Sequence, residues 1–336
     1  GFQYSDYDLS NLFNSTTGLT FNGELDGSQR RYYGYWNRSL PSIEVDLTLG
    51  LERLELDDDN DDLDRSENLP KMGMIWSPRA NTQLFAAWFK SLSDVYAQRQ
   101  TETLMPSQIA GFNQFNNLTD RNLNTTTGLG IEHRINNYLR AGLRLSHHKG
   151  ESTQNIAPNP FSPGGLFDVE TEQNNGVAWL YWNLTDKFSL SLEHHYETLK
   201  DGWEQAIGSS TDNLEELVTR RTPITLSYHH PSGLSGHLIN TYIKQKGIFW
   251  KNPTTPFDPV EVVNDSDSFW LTDASLSFRL PKRRGHFTIG VKNLFDQDYR
   301  YEDFSSFALL EPRDTWVPSD YVRERFWFTS LSLHFH

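Results

Sequence analysis

The chain is 336 residues long, carries a net charge of −14 and contains no cysteine. That charge argues against nucleic acid as a partner, and no apolar run approaches the roughly 20 residues of a membrane helix. With 13% aromatic residues and a mean hydropathy of −0.62, two classes remain. One is a soluble all-β protein; the other is a transmembrane β-barrel, whose strands carry their hydrophobicity in every second residue.

Strands are expected wherever apolar and polar residues alternate with a period of two. In Ser42–Glu55, Ile43, Val45, Leu47, Leu49 and Leu51 point one way, and Glu44, Asp46, Thr48, Gly50 and Glu52 the other. In Tyr138–His148, Leu139, Ala141, Leu143 and Leu145 oppose Arg140, Gly142, Arg144 and Ser146. Lys187–Glu197 sets Phe188, Leu190, Leu192 and Tyr196 against Ser189, Ser191, Glu193, His195 and Glu197. Thr272–Leu280 repeats the pattern, with Asp273 and Arg279 on its polar face. Trp327, Leu331, Leu333 and Phe335 share one face of a closing strand. Several runs exceed the length that a soluble sandwich needs.

The connections separate the two classes. Short turns are expected at Ser39–Ser42, Ser77–Thr82, Arg134–Tyr138, Leu184–Lys187, His230–Ser235 and Pro281–Gly285. Long loops are expected at Asp57–Asn68, Asp94–Asp120, Glu151–Asp168, Gly202–Asn213, Lys251–Asp267 and Glu302–Tyr321. This strict alternation is the habit of outer-membrane barrels, with short periplasmic turns and long external loops. The fold class is therefore all-β, a transmembrane antiparallel β-barrel with about fourteen strands visible, and sixteen or more if the sequence begins inside a larger barrel. Phe2–Leu9 is read as the first strand and Ser10–Ser28 as its loop; a further strand at Gly18–Leu25 makes the count odd. Residues 1–336 form one barrel domain, and an N-terminal plug or repeat domain is expected to precede it.

The polar faces supply the candidate site. Glu44, Asp46, Glu52, Arg140, Arg144, Glu193, Glu197, Asp273, Arg279 and Lys292 are expected to line a pore, where charges of both signs set selectivity. The same residues also suit inter-strand ion pairs that fill the interior. Asp57, Asp59 and Asp61 fall in the densest acidic run; they offer oxygens to Ca²⁺, but the EF-hand spacing fails and a solvated loop is the favoured reading. The adjacent pairs His147-His148, His194-His195 and His229-His230 face opposite sides of their strands and do not chelate one metal from one strand. Ser146 with His148, and Ser191 with Glu193 and His195, share a face without any nucleophile motif, so no enzyme is expected. Trp76, Tyr181, Trp182, Tyr196 and Trp327 are placed in interfacial girdles, as are Tyr32, Tyr33, Tyr35 and Trp36. Phe326 and Phe328 fall on the polar side of the last strand, which means an inward position or a bulge. The Asn159–Gly165 turn-rich loop is a candidate inward constriction.

The segment Phe287-Thr288-Ile289-Gly290-Val291-Lys292-Asn293-Leu294-Phe295-Asp296-Gln297-Asp298-Tyr299 resembles the penultimate-strand signature of TonB-dependent receptors. Ile75–Phe89, Pro106–Phe115 and Tyr228–Gly233 resemble tetratricopeptide-repeat-linked outer-membrane porins. The resemblance implies location in the bacterial outer membrane, a periplasmic C-terminus, and passage of a solute or polymer. The alternative is an occluded barrel that anchors or binds a partner. Expected partners are outer-membrane lipid and lipopolysaccharide, the barrel-assembly machinery, and a periplasmic repeat domain or partner protein. No cofactor is implied.

Overall fold

The computed structural model describes residues 2–14, 20–58, 65–92, 106–114, 123–156, 165–201, 214–251, 261–281, 284–299 and 324–333. The strands are β1 (Phe2–Asn14), β2 (Thr20–Leu40), β3 (Val45–Asp58), β4 (Arg65–Arg79), β5 (Thr82–Leu92), β6 (Gln108–Ile109), β7 (Phe112–Asn113) and β8 (Leu123–Arg134). Then come β9 (Leu139–Ile156), β10 (Gly165–Asn183), β11 (Phe188–Asp201), β12 (Leu214–His229), β13 (Leu234–Lys251), β14 (Glu261–Arg279), β15 (Gly285–Lys292) and β16 (Phe326–Leu333). Fourteen of them form one sheet in chain order; β6 and β7 pair only with each other. Every described strand pairing is antiparallel, as up-and-down connectivity requires.

The first hairpin differs from the expected loop. Ser10–Ser28 is not a connection, since Ser10 pairs with Glu24 and Ser5 with Gln29. The polar composition of this stretch hid its strand character, because hairpin pairing satisfies the backbone whatever the side chains are. Among the described residues the sheet therefore has fourteen strands. At the other expected loops the strands also run further: β9 reaches Ile156 and β14 starts at Glu261. The short turns fall where the spacing places them, although residues 282–283 of the Pro281–Gly285 turn lie outside the described residues. One is a 3-10 turn at Pro41–Ile43, closed by Glu44 in a left-handed conformation (φ 54°).

The chain divides into two compact units, Gly1–Pro78 with Leu84–Gly128, and Arg79–Gln83 with Leu129–His336. In each, the two faces of the strands differ in kind. In the first unit Trp36, Leu49, Leu51, Met72, Met74 and Trp76 lie exposed on one side, the outer face. Their sequence neighbours on the inner face include Glu52, Leu54, Leu69 and Lys71, all buried. In the second unit Leu143, Leu145, Trp182, Leu192, Leu226, Leu238, Trp270, Leu276, Phe278, Leu331 and Leu333 are exposed on the outer face. A soluble domain does not present so continuous an apolar surface to water. Apolar side chains outside and polar ones inside define the transmembrane barrel.

Residues 93–105, 157–164, 202–213 and 300–323 lie outside the described residues. So do Asp59, Asp61, Phe335 and all of the Asn159–Gly165 candidate constriction except Gly165, which opens β10. Asp57 belongs to β3, opposite Ser28, but its side chain is not among those described.

Candidate functional site: the inner faces of the sheet

In the first unit the inner face holds a buried three-membered charge group. Arg31 Nε lies 3.1 Å from Glu52 Oε1, and Lys71 Nζ 3.2 Å from Glu52 Oε2. Each of the three side chains is at most 4% exposed. Lys71 also donates to the backbone carbonyl of Lys90 at 2.9 Å. The register places the group diagonally over three strands, since Tyr33 faces Glu52 and Gly50 faces Lys71. Of the expected pore-lining residues, Glu52 thus sits in a buried ion network whose described partners are Arg31 and Lys71, two residues that sequence reading passed over. Parity alone places Arg31 and Lys71 on the polar side of their strands, and that was the available signal.

Beside this group lies an inserted hairpin. Pro106–Gln114 folds as β6 and β7 around Ala110 (φ 44°) and Gly111 (φ 84°). Gln114 closes it, its backbone N–H donating to the Ser107 carbonyl at 2.9 Å and its Nε2 to the Pro106 carbonyl at 2.6 Å. Ile109 and Phe112 pack with Phe85, Ala87 and Phe89 of β5, and Tyr35, Ile75 and Ala110 border the cluster. Phe85 and Phe112 meet at 6.1 Å between ring centroids. Two glycines admit the hairpin: a side chain at Gly73 would strike Ile109, and one at Gly128 would strike the Phe112 ring. The segment expected to be an external loop therefore contributes a plug of apolar side chains to the inner face. Ile109 and Phe112 flanking a glycine in an otherwise polar stretch carried the signal.

In the second unit the inner face is polar toward the short turns. Glu193 is its centre, accepting from Tyr181 Oη at 2.9 Å and contacting His195 Nε2 at 2.9 Å. Arg140 lies over the Tyr181 ring at 5.0 Å and reaches Glu132 at 3.9 Å. Tyr181 is thus an inner-face residue rather than part of a girdle; so are Tyr33 and Tyr35, whereas Tyr32, Trp36, Trp76, Trp182, Tyr196 and Trp327 lie exposed on the outer face. Ser191 Oγ contacts Glu193 at 3.5 Å, not His195, while Ser146 Oγ meets His148 Nε2 at 3.0 Å. His147 and His194 point the other way, to Asn174 and Thr222, as adjacent strand residues must. Among the described residues no three His, Asp or Glu side chains converge as a metal-binding group.

Toward the loop ends this inner face closes. Thr219, Thr241, Gln245, Leu217, Ile243, Phe269 and Leu271 are all buried, and Gln245 Nε2 donates to Thr219 Oγ1 at 3.0 Å. Glu197 accepts from Gln173 Nε2 at 2.6 Å. On the outer face at the same end, Lys149 lies 3.0 Å from Glu170 and 3.4 Å from Glu151.

The remaining expected residues have local roles. Glu44 occupies the 3-10 turn rather than a strand face. Asp46, Arg144 and Arg279 are exposed on the inner side of β3, β9 and β14, and Lys292 ends β15 half-buried. Asp273 accepts the backbone N–H of Asn293 at 2.8 Å. Phe328 faces inward, its ring lying over Gly290, and Phe326 stacks beside it with centroids 6.4 Å apart. Trp179 covers Gly142 in the same manner. An aromatic ring over a cross-strand glycine fills the space that the missing side chain leaves.

The Asn293–Tyr299 segment has a structural logic. Asn293 (φ 48°) is 2% exposed; its Nδ2 donates to the Gln297 carbonyl at 2.9 Å and its Oδ1 accepts the Gln297 N–H at 2.8 Å. Asp296 (φ 56°) accepts the Arg325 N–H at 2.7 Å, tying the turn to the start of β16. Tyr299 stacks on Phe269 at 4.3 Å. Asn tolerates the left-handed backbone and bonds its own turn, so Asn293→Ala loses both bonds and adds backbone strain. The expected loss is about 3 kcal/mol, read as a lower urea midpoint of the detergent-folded protein with wild-type β content by circular dichroism.

Fold, face polarity and turn order define a β-barrel of the outer-membrane class. Solved structures with this fold include the pyoverdine outer membrane receptor FpvA from Pseudomonas aeruginosa PAO1 bound to pyoverdine, with 13% identity and a TM-score of 0.57 over 94% of this chain and 44% of the receptor. The FrpB iron transporter from Neisseria meningitidis matches with 13% identity and a TM-score of 0.57, over 82% of this chain and 42% of that one. The outer membrane transporter YddB from Escherichia coli matches with 13% identity and a TM-score of 0.54, over 88% and 47%. The chain spans less than half of each. No protein-family model matches it, and no curated protein matches it in sequence. These likenesses rest on the barrel fold.

Proposed function

We propose that the chain is an outer-membrane barrel that passes a solute across the bacterial outer membrane, with its short turns and C-terminus on the periplasmic side. The observation that carries this reading is the opposite polarity of the two strand faces: apolar and exposed outside, and inside charged and hydrogen-bonded around Glu193, Tyr181, Arg140 and His195. Mixed charge on an inner wall suits selection among hydrated solutes. The link to repeat-bearing porins rests on the sequence resemblance, and a periplasmic repeat partner and the barrel-assembly machinery belong to this proposal. No chemical step is part of it.

A second reading, an occluded barrel that anchors a partner, is favoured by the inserted hairpin with Ile109 and Phe112 buried. Single-channel recording of the full chain in planar bilayers separates the two. The transport reading expects steady conductance that changes when Glu193→Gln removes the inner charge. A heat-modifiable, bilayer-inserted protein without conductance rejects it in favour of the anchor.

A further inference from the structure

On the outer face of the second unit, charged residues near the loop ends generally meet charges of opposite sign across strands. Lys149 meets Glu151 and Glu170. Lys200 stands opposite Glu172 on β10 and Glu216 on β12. Glu151 and Glu170 also stand opposite each other, but Lys149 bridges them, and one like-charged group has no such counter-ion among the described residues. Arg220 of β12 stands directly opposite Lys244 of β13, and Lys246 follows two residues on along the same face. All three are exposed. Among the described residues no carboxylate pairs with any of them; Arg220 lies over the Tyr196 ring at 5.5 Å. On β14 the facing residues are Ser268 and Ser266, which are neutral. Like charges directly opposite on adjacent strands are destabilising, so this trio calls for an anion from outside the chain.

Its position selects the anion. Two residues toward the short turns, Tyr242 and Trp270 stand opposite each other with rings 5.1 Å apart. Below them the outer face is apolar, with Leu238, Leu226, Leu276 and Phe278 exposed. Paired aromatic residues at the rim of an apolar band mark headgroup level. Cations just beyond that rim sit where lipid phosphates lie, each worth on the order of 1 kcal/mol against an anionic leaflet. We infer that Arg220, Lys244 and Lys246 form a binding site for the phosphate of a lipid headgroup in the leaflet at the loop ends. The inference rests on the membrane-barrel reading.

The test uses the full chain in zwitterionic bilayer vesicles with and without added lipid A, after flotation has established insertion. Lipid A retained by the extracted protein is counted by native mass spectrometry, against dephosphorylated lipid A and against inorganic phosphate as competitor. The Arg220→Ala, Lys244→Ala, Lys246→Ala triple variant is expected to weaken retention roughly a hundredfold. Lys149→Ala with Lys200→Ala, which removes charges that meet charges of opposite sign, is expected to retain it. Lys244→Arg with Lys246→Arg is expected to keep binding, which rules out a folding defect as the cause. Equal retention by the triple variant and the wild type overturns the site while leaving the barrel intact. Equal retention of dephosphorylated lipid A, or full displacement by inorganic phosphate, also overturns it. Failure of the wild type to insert overturns the membrane reading itself.

Discussion

Replacing Glu52 by Gln is expected to destabilise the folded chain by about 3–5 kcal/mol, the usual consequence of leaving buried charge without its counter-ion. Among the described residues Glu52 is the carboxylate that Arg31 and Lys71 share, and all three side chains are withdrawn from water. The variant keeps the shape and loses the negative charge, so a guanidinium and an ammonium are left facing a neutral amide. Lys71→Met is expected to cost less, because Glu52 retains Arg31 at 3.1 Å. Converting the group as a whole, with Arg31→Met, Glu52→Leu and Lys71→Met, is expected to bring stability back near that of the wild type, since no charge then remains to be solvated. Urea titration of the protein folded in detergent reads these differences, and a Glu52→Gln midpoint equal to that of the wild type sinks the account.

Phe112→Ala and Ile109→Ala are expected to release the inserted hairpin. Truncating a buried Phe or Ile costs about 2–5 kcal/mol where the surroundings cannot collapse. Among the described contacts, the hairpin is held by this apolar packing, by the two bonds of Gln114 to the hairpin backbone and by Gln108 Nε2 donating to Asn113 Oδ1 at 2.8 Å. The strands do not depend on it, because β6 and β7 pair only with each other. Protease should therefore cut within residues 106–114 of the variants and spare that segment in the wild type, with β content unchanged. If the hairpin narrows a passage, the same variants conduct more. Protection from protease equal to the wild type would mean that the hairpin is held by something other than Ile109 and Phe112.

Much of the fold was legible because a β-strand with unlike faces writes its orientation into every second residue. Leu143 and Leu145 against Arg140 and Arg144, or Leu331 and Leu333 against Ser330 and Ser332, needed no partner strand to be read. The short turns were equally plain, since Pro41, Gly233 and Pro281 mark them locally. The first hairpin was not, because its polar side chains carry no alternation and only backbone pairing with Thr20–Tyr32 identifies it. Tyr181 was placed in a girdle from its nearness to a strand end, although the parity of β10 assigns it to Glu193 and the inner face.

By itself, then, the sequence determined the class: all-β, antiparallel, apolar outside, with short turns and long loops in alternation. These are local or nearest-neighbour properties, set by residue type and a period of two. Only the tertiary structure decided which inner residues touch. The Arg31–Glu52–Lys71 group joins three strands, the Pro106–Gln114 hairpin returns against β5, and Asn293 ties its own turn while Asp296 holds the start of β16. Each contact depends on strand register and on where a connecting segment goes, and neither is encoded in the alternation of a single strand.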